Sequence, residues 1–154
     1  MKLGIIGGSL LKSLDIFTPK SEEQFNTPFG EPSDSFITGT IGEREVVFLN
    51  RHGCNHHIAP HQINYKANLF VMKLLDVSHI VATQAVGGIT SAMAPGRWVV
   101  PDQIIDYTHG RNHTFNDYDD KIVDHIDFTY PLHIRPIPEW LVTPERPTSK
   151  EATN

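Results

Sequence analysis

Short apolar runs, each followed by a glycine-bearing or polar turn, recur along the chain before residue 110. Residues 3–6, 46–49 and 79–83 are three such runs, and they are too short and too uniformly apolar to alternate between two faces. Runs of this kind are typical of strands that are buried on both faces of a sheet. The pattern therefore predicts a sheet covered by helices, which is the α/β class.

A hairpin and one helix are predicted between these runs. Residues 35–40 and 45–50 flank Gly42, a residue suited to a tight turn, which predicts two antiparallel strands. In residues 62–75 the apolar side chains recur at offsets of three and four, which predicts a helix with one buried stripe. The stripe consists of Ile63, Ala67, Phe70, Val71 and Leu74.

Turn residues predict the order of elements after the third run. Pro95 and Gly96 stand at the central positions of a type II turn. Residues 98–101 then predict a further strand, which leads into residues 103–107. The polar stretch that ends at Asn26 is assigned no strand.

Proline enrichment marks a change at residue 131. Five of the eleven prolines lie from there onward, and residues 146–154 contain no large apolar side chain. Such a segment cannot bury enough apolar surface to offset the entropy that is lost on ordering. We therefore expect residues 1–130 to be the N-terminal part of a folded domain and residues 131–154 to form an irregular or disordered tail.

Composition restricts the partners of this domain. The 154 residues are enough for one domain, and a net charge of −5 argues against nucleic acid or an anionic membrane as a partner. The single cysteine excludes an intrachain disulfide framework and fits a reducing compartment. No apolar run approaches the roughly 20 residues that span a bilayer, so we expect a cytoplasmic protein. Any anion site must be built locally from a few residues.

Three segments directly follow the predicted strands: Gly7-Gly8-Ser9, Arg51-His52-Gly53 and Gln84-Ala85-Val86-Gly87-Gly88. In an open α/β sheet, residues beyond the carboxyl ends of the strands line the ligand crevice. A glycine pair lets backbone N–H groups approach an anion, and an arginine supplies a permanently charged fork of donors. Together the segments predict a phosphate pocket.

Other clusters of reactive side chains have simpler interpretations. Four histidines are spaced like metal ligands on a helix, but a glycine and a proline interrupt any such helix, so no native metal site is expected. The four are His52, His56, His57 and His61. Cys54 is interpreted as a small structural thiol and not as a nucleophile. The four aspartates between residues 117 and 124 lack calcium-loop spacing and indicate a solvated loop.

Five ordered motifs along residues 1–130 carry a family resemblance. They are Gly4-Ile5-Ile6-Gly7-Gly8-Ser9, Thr27-Pro28-Phe29-Gly30-Glu31-Pro32-Ser33, Arg51-His52-Gly53, Asn64-Tyr65-Lys66-Ala67-Asn68 and Ala85-Val86-Gly87-Gly88-Ile89. In this order they resemble the trimeric purine nucleoside phosphorylases, and most closely the methylthioadenosine phosphorylase group. Residues 85–89 and 104–114 resemble the S-methyl-5'-thioinosine phosphorylase branch of that group.

The resemblance implies a mixed-sheet, nucleoside phosphorylase-like α/β fold and a phosphorolysis reaction. Inorganic phosphate, the co-substrate, attacks the anomeric carbon of S-methyl-5'-thioinosine or methylthioadenosine. A free purine and 5-methylthioribose 1-phosphate are released. No metal or organic cofactor is implied, and the family suggests a homo-oligomer, namely a trimer.

Site roles follow from the same resemblance. The residues implied to contact phosphate are Ser9, Arg51, His52, Gln84 and Ala85. Ala85 does so through its backbone N–H, and Gln84 stands where relatives place a polar phosphate or sugar contact. His56 is implied to line the same pocket, and His125 to reach the sugar end of a neighbouring subunit's site.

Two departures from the family pattern lead to a second hypothesis. Leu10 stands where the glycine loop usually has another glycine, which strains the loop or re-aims Ser9 if that position needs a positive φ. The family's distal half, which carries the purine contacts, has no counterpart here. We therefore expect a truncated fold whose incomplete sheet exposes an apolar edge and whose activity is impaired. The alternative is an inactive or split-enzyme fragment that keeps a phosphate half-site and needs a complementing C-terminal fragment.

Overall fold

The computed structural model describes residues 1–8, 15–112, 114–115, 125 and 127–129. The elements are β1 (Leu3–Gly7), β2 (Phe17–Glu23), β3 (Phe36–Ile41), β4 (Arg44–Asn50), α1 (Tyr65–Leu74) and β5 (His79–Ala82), with short 3₁₀ turns at Pro60–Gln62 and Ser91–Met93. A membrane-spanning helix, which needs a long apolar stretch, is absent from these described residues. The predicted tail at residues 131–154 lies outside them.

The five strands form one mixed sheet in the order β2-β3-β4-β1-β5. β1 pairs in parallel with β4 on one side and with β5 on the other, so that Ile6 lies opposite both Leu49 and Ala82. β3 pairs antiparallel with β2 and with β4. The predicted mixed-sheet α/β class is confirmed. Because β1 is flanked by two parallel partners, three strands end at the same edge of the sheet.

The hairpin predicted around Gly42 is confirmed. β3 and β4 pair continuously, from Ile41 opposite Arg44 to Phe36 opposite Leu49. Gly42 adopts a φ of 56° at the first position of the two-residue turn. A type II′ turn needs this left-handed conformation, which glycine adopts without penalty. The hairpin thus fixes the register in which β4 reaches β1.

The core lies between the β3–β4 hairpin and α1. Phe36, Val47 and Leu49 from the sheet pack with Val71 and Met72 from the helix, and all five side chains are buried. Burial of apolar surface is the main favourable term in folding. Since β4 contributes two of these side chains, the core fixes the strand that leads into the predicted site.

Two asparagines fasten α1 to the turn-rich segment at residues 27–33. The Asn64 side chain caps the helix by accepting from the N–H three residues further on, and its amide donates to the Phe29 carbonyl at 2.8 Å. The buried Asn68 accepts from the Ser33 N–H at 2.8 Å and donates to the Ser33 hydroxyl at 2.9 Å. We call residues 27–33 with Asn64 and Asn68 the helix clamp. Two of the five motifs quoted above therefore hold the fold together.

The cap also explains where α1 begins. The apolar stripe predicts a helix from residue 62, whereas the helix starts at Tyr65, immediately after Asn64. Residues Pro60–Gln62 form a 3₁₀ turn instead. The Asn64 side chain competes for the first free N–H groups and so sets the start of the helix.

The predicted turn over residues 94–97 is confirmed, but the strand predicted after it is wrong. Gly96 has a φ of 81°, and the Arg97 N–H donates to the Ala94 carbonyl at 3.2 Å, as a type II turn requires. Residues 98–101 form no strand. An apolar run becomes a strand only where a neighbouring strand can satisfy its backbone, and within the described residues this run has no such neighbour.

The sequence pattern does not predict β2, which is an edge strand. Six of its seven residues are exposed, so no apolar run marks it. It forms because β3 offers a row of backbone partners, and the Ser21 and Thr38 hydroxyls meet across the two strands at 2.7 Å.

Burial on both faces, expected for every short apolar strand, is wrong for β5. Three of its four residues are exposed, whereas β4 is buried along its last five residues. Within the described part of the chain β5 pairs with β1 alone. One edge of the sheet is therefore apolar and open.

Gly4 in β1 leaves no room for a side chain. A Cβ atom there would lie 2.9 Å from both Met72 Sδ and Val77 Cγ1, which is closer than van der Waals contact. We expect Gly4→Ala to lower the free energy of unfolding, measured by urea denaturation, by about 1–3 kcal/mol. Gly87→Ala is the matched control, because nothing lies within 4 Å of its added Cβ. Equal losses in the two variants would contradict this close packing.

Candidate phosphate site

The carboxyl ends of β1, β4 and β5 meet at one edge of the sheet. The Arg51 N–H donates to the Gly7 carbonyl at 3.1 Å, and the Thr83 N–H donates to the Ile6 carbonyl at 2.9 Å. Both bonds continue the parallel ladders just beyond β4 and β5. The three segments that the sequence singled out therefore leave the sheet side by side, where α/β proteins bind their ligands.

Arg51 bridges these three strand ends. Its backbone bonds to the end of β1, and its Nη1 donates to the Thr83 carbonyl just beyond β5. Its Nε donates to His52 Nε2 at 3.1 Å. The side-chain contacts use two of the five N–H donors of a guanidinium. The group is thereby oriented and still has donors for an anion.

The hydrogen bonds of His52 assign its proton. A guanidinium only donates, so the bond from Arg51 requires an unprotonated Nε2. The proton then lies on Nδ1, which donates to the Ile58 carbonyl at 2.9 Å. Both ring nitrogens are engaged within the protein, and one of them holds the arginine.

A tight loop over residues 51–58 presents these two side chains. Gly53 has a φ of 76°, and a Cβ there would lie 2.5 Å from His57 Cε1, so the loop requires glycine at this position. The Ile58 N–H donates back to the His52 carbonyl at 3.0 Å and closes the loop. His56, at a φ of 52°, stacks its ring on His52 with centroids 4.5 Å apart. The predicted pocket residue His56 thus lies beside the predicted phosphate residue His52.

Gln84 and Ala85 lie at the same edge. They directly follow Thr83, whose carbonyl accepts from Arg51, and both are exposed. The structure therefore places four of the predicted site residues at the ends of β4 and β5, on either side of β1, with His56 stacked beside them.

Two other predicted site residues are not brought to this edge by the described residues. Ser9 lies outside them, as does its neighbour Leu10, so the prediction for the glycine loop stays a prediction. His125 is exposed, and within the described part of the chain it makes no hydrogen bond or ring contact with the strand ends. Its role at a neighbouring subunit also stays a prediction.

The sequence-based prediction missed Asn50 and Asp34. Asn50 ends β4, is buried, and donates from Nδ2 to Asp34 Oδ2 at 3.0 Å. The buried Asn50 Oδ1 has no hydrogen-bond partner among the described residues. A lone polar residue at the end of an apolar run was the available signal. Thr83 gave no such signal, because it acts through a carbonyl that every residue has.

Two alternative chemistries, a metal site and a reactive thiol, involve residues in or beside the loop over residues 51–58. Within the described residues, no three histidine, cysteine or acidic side chains lie close enough to hold a metal ion. Cys54 is an exposed free thiol. The aspartates between residues 117 and 124 lie outside the described residues.

Two further features lie away from the strand ends. An open groove of about 450 Å³ runs along β2, at the opposite end of the strand order from β5, and Phe17 and Lys20 are among its lining residues. In an exposed turn, hydrogen bonds from the Thr129 hydroxyl and N–H lower the pKa of the Asp127 carboxyl. Neither feature contacts Arg51.

Comparison with known proteins identifies the family. The model of the phosphorylase superfamily matches residues 2–145. The S-methyl-5'-thioadenosine phosphorylase of Thermofilum pendens is 44% identical over 132 residues, which cover 86% of this chain and 50% of the relative. A probable S-methyl-5'-thioinosine phosphorylase of Pseudomonas syringae pv. tomato is 46% identical over 127 residues, which cover 82% of this chain and 52% of the relative.

A solved structure gives the same result. The apo methylthioadenosine phosphorylase of Schistosoma mansoni superposes with a TM-score of 0.77 at 40% identity, covering 85% of this chain and 47% of that one. The chain belongs to the phosphorylase superfamily, and the predicted family resemblance is confirmed. It spans about half the length of the curated relatives it matches.

The protonation of His52 can be tested directly. We expect nitrogen-15 NMR of the histidine rings at neutral pH to show a proton on Nδ1 and a bare Nε2, because Ile58 accepts at one nitrogen and Arg51 donates at the other. His57, whose ring has neither contact, serves as the internal comparison. A proton on His52 Nε2 would contradict the bridge from Arg51.

Proposed function

We propose that the edge formed by the ends of β1, β4 and β5 binds inorganic phosphate. The observation that carries this proposal is Arg51, which is held across all three strand ends by the carbonyls of Gly7 and Thr83. An oriented guanidinium binds phosphate well because little side-chain freedom remains to be lost. The Ser9 hydroxyl and the Ala85 N–H are the further donors of this proposed site.

The neighbouring side chains take supporting roles in the proposal. His52 borders the phosphate and holds Arg51 through Nε2. Gln84 contacts the phosphate or the sugar, and His56 closes the pocket beside His52. His125 reaches the site of a second subunit in a trimer.

We infer that the bound phosphate is the nucleophile of a phosphorolysis reaction. A phosphate oxygen bonds to the anomeric carbon of a nucleoside while the bond from that carbon to the purine nitrogen breaks. The purine leaves with the bonding electron pair and takes up a proton, which balances the proton that the phosphate loses when its oxygen bonds to the carbon. Arg51 orients the phosphate dianion against the sugar, and its charge stabilises the oxocarbenium-like transition state indirectly by holding that dianion close.

The names of the relatives support 5'-methylthio nucleosides as substrates. The matched proteins include phosphorylases of S-methyl-5'-thioadenosine and a probable phosphorylase of S-methyl-5'-thioinosine. Residues 104–114 resemble the thioinosine branch. We therefore propose S-methyl-5'-thioinosine or methylthioadenosine as substrate, with no metal or organic cofactor in the reaction.

A second candidate function is phosphate binding without turnover. It keeps the oriented donors of Arg51 as an anion site and requires no purine contacts. In this case the site holds phosphate but does not promote departure of the base.

Phosphate titration by calorimetry tests the site itself. We expect Arg51→Ala to weaken phosphate binding by about tenfold to a hundredfold, because charge-assisted hydrogen bonds are lost. Arg51→Lys should weaken it less, since the charge remains and only the fork is lost. Arg44→Ala is the matched control, because it removes the same charge from the opposite end of β4. If both alanine variants weaken phosphate binding equally, the loss would be due to the overall charge of the protein and not to the position of Arg51.

Substrate choice is tested by phosphate-dependent release of free purine from methylthioinosine, methylthioadenosine and inosine. We expect the two 5'-methylthio nucleosides to be cleaved in preference to inosine. A preference for inosine would refute the proposed branch. Retained phosphate binding with no release from any of the three nucleosides would establish the second candidate function.

A further inference from the structure

Two hydrogen-bond acceptors flank the Arg51 guanidinium. The Thr83 carbonyl accepts from Nη1, and His52 Nε2 accepts from Nε at 3.1 Å. Within the described residues Nη2 makes no hydrogen bond. A guanidinium holds an oxyanion through two neighbouring nitrogens, so Nη2 pairs either with Nε, beside His52, or with Nη1, beside Thr83. An anion at Arg51 therefore lies next to one of these two acceptors.

The two acceptors differ in what a proton does to them. The lone pairs of the Thr83 carbonyl repel an anion oxygen, and a backbone carbonyl stays an acceptor at any ordinary pH. An imidazole nitrogen that gains a proton becomes a charged donor instead. The edge of Arg51 formed by Nε and Nη2 is therefore the one whose neighbour can adapt to an anion.

His52 cannot supply this donor by exchanging tautomers. Its Nδ1 proton is held by the Ile58 carbonyl at 2.9 Å, in a half-buried position. The Ile58 N–H also donates to the His52 carbonyl at 3.0 Å, so two hydrogen bonds fix the ring against Ile58. Moving the proton from Nδ1 to Nε2 would leave a bare nitrogen facing a carbonyl oxygen, which is unfavourable. A donor at Nε2 therefore requires a second proton on the ring.

The neighbours of His52 make this second proton depend on an anion. The charged and titratable groups in contact with the ring are the Arg51 guanidinium and the stacked His56 ring, with centroids 4.5 Å apart. The Ile58 carbonyl is neutral, and within the described part of the chain no carboxylate contacts the ring. A positive charge on His52 beside Arg51 is unfavourable unless an anion offsets it. The proton and the anion therefore favour each other's binding.

We propose that the site binds its anion together with one proton, which lies between an anion oxygen and His52 Nε2. On binding, Arg51 turns its Nε–H from His52 to the anion, and the freed Nε2 is bonded through that proton. Hydrogen phosphate brings the proton as its own P–OH group, whereas sulfate has none and requires one from solvent. His52 therefore selects hydrogen phosphate over an unprotonated oxyanion of the same charge. This inference rests on the proposed phosphate site and names the form of anion that it takes.

Calorimetric titration with sulfate and with phosphate tests the proposal. From about pH 8 to about pH 9.5 both anions carry the same double negative charge, and an ordinary histidine is neutral. We expect sulfate affinity to fall about tenfold per pH unit, because binding takes up one solvent proton. Phosphate affinity should stay nearly constant, because the anion supplies the proton. Titration in two buffers of different ionisation enthalpy should give an uptake of about one proton with sulfate and none with phosphate.

A pair of variants assigns the proton to His52. His52→Gln should abolish the pH dependence of sulfate binding, since an amide donates without being protonated. His79→Gln is the matched control and should keep that dependence, because His79 begins β5, at the opposite end of the strand from Thr83. Nitrogen-15 NMR of the unmodified protein should also show both His52 ring nitrogens protonated at saturating sulfate. This measurement decides the matter if His52→Gln does not fold.

The outcomes separate this inference from the phosphate site itself. A flat sulfate profile, or the same pH profile for both anions, would overturn the shared proton while phosphate binding left the site in place. Loss of the pH dependence in His79→Gln as well would overturn its assignment to His52. Failure of both anions to bind would refute the phosphate site and this inference with it.

Discussion

The parallel pairing of β1 with both β4 and β5 is the constraint on which the rest of the structure depends. Parallel strands end at one edge, so this pairing makes neighbours of Gly7, Arg51 and Thr83, which are far apart in sequence. Arg51 then joins all three through its backbone and its guanidinium. One side chain thus joins the ends of the backbone ladders at the edge where the candidate phosphate site lies.

The surrounding elements serve this arrangement by fixing β4. The hairpin sets its register, and Val47 and Leu49 anchor it in the core against α1. The helix clamp then fixes the position of α1 relative to the turn segment. Movement of β4 would therefore require breaking the core that it forms with α1, a helix that the clamp itself holds in place. The placement of Arg51 is for this reason a property of the whole packed unit and not of its own loop.

Local signals predicted most of this fold and part of the site. The hairpin, β4 and α1 could be predicted because each has a local signal in the sequence. These signals are Gly42, the apolar run at residues 46–49 and the helical stripe. β2 could not, because a polar edge strand depends on its neighbour for pairing. The strand predicted at residues 98–101 was wrong because an apolar run also needs a neighbouring strand, and none lies beside it among the described residues. At the candidate site, Arg51 and His52 could be recognised by their residue types. Thr83 contributes a backbone carbonyl and Asn50 is buried, and both properties are defined only once the chain has folded.

The helix clamp has a consequence for how such chains are recognised. Its residues carry two of the five motifs quoted for the family, and among the described residues their hydrogen bonds join one another and the helix start. Selection for a stable fold alone is enough to keep them. A lineage that lost turnover would retain this signature for as long as it needed a folded sheet. Packing therefore accounts for two of the five family motifs, and only the three strand-end motifs bear on the proposed phosphate site.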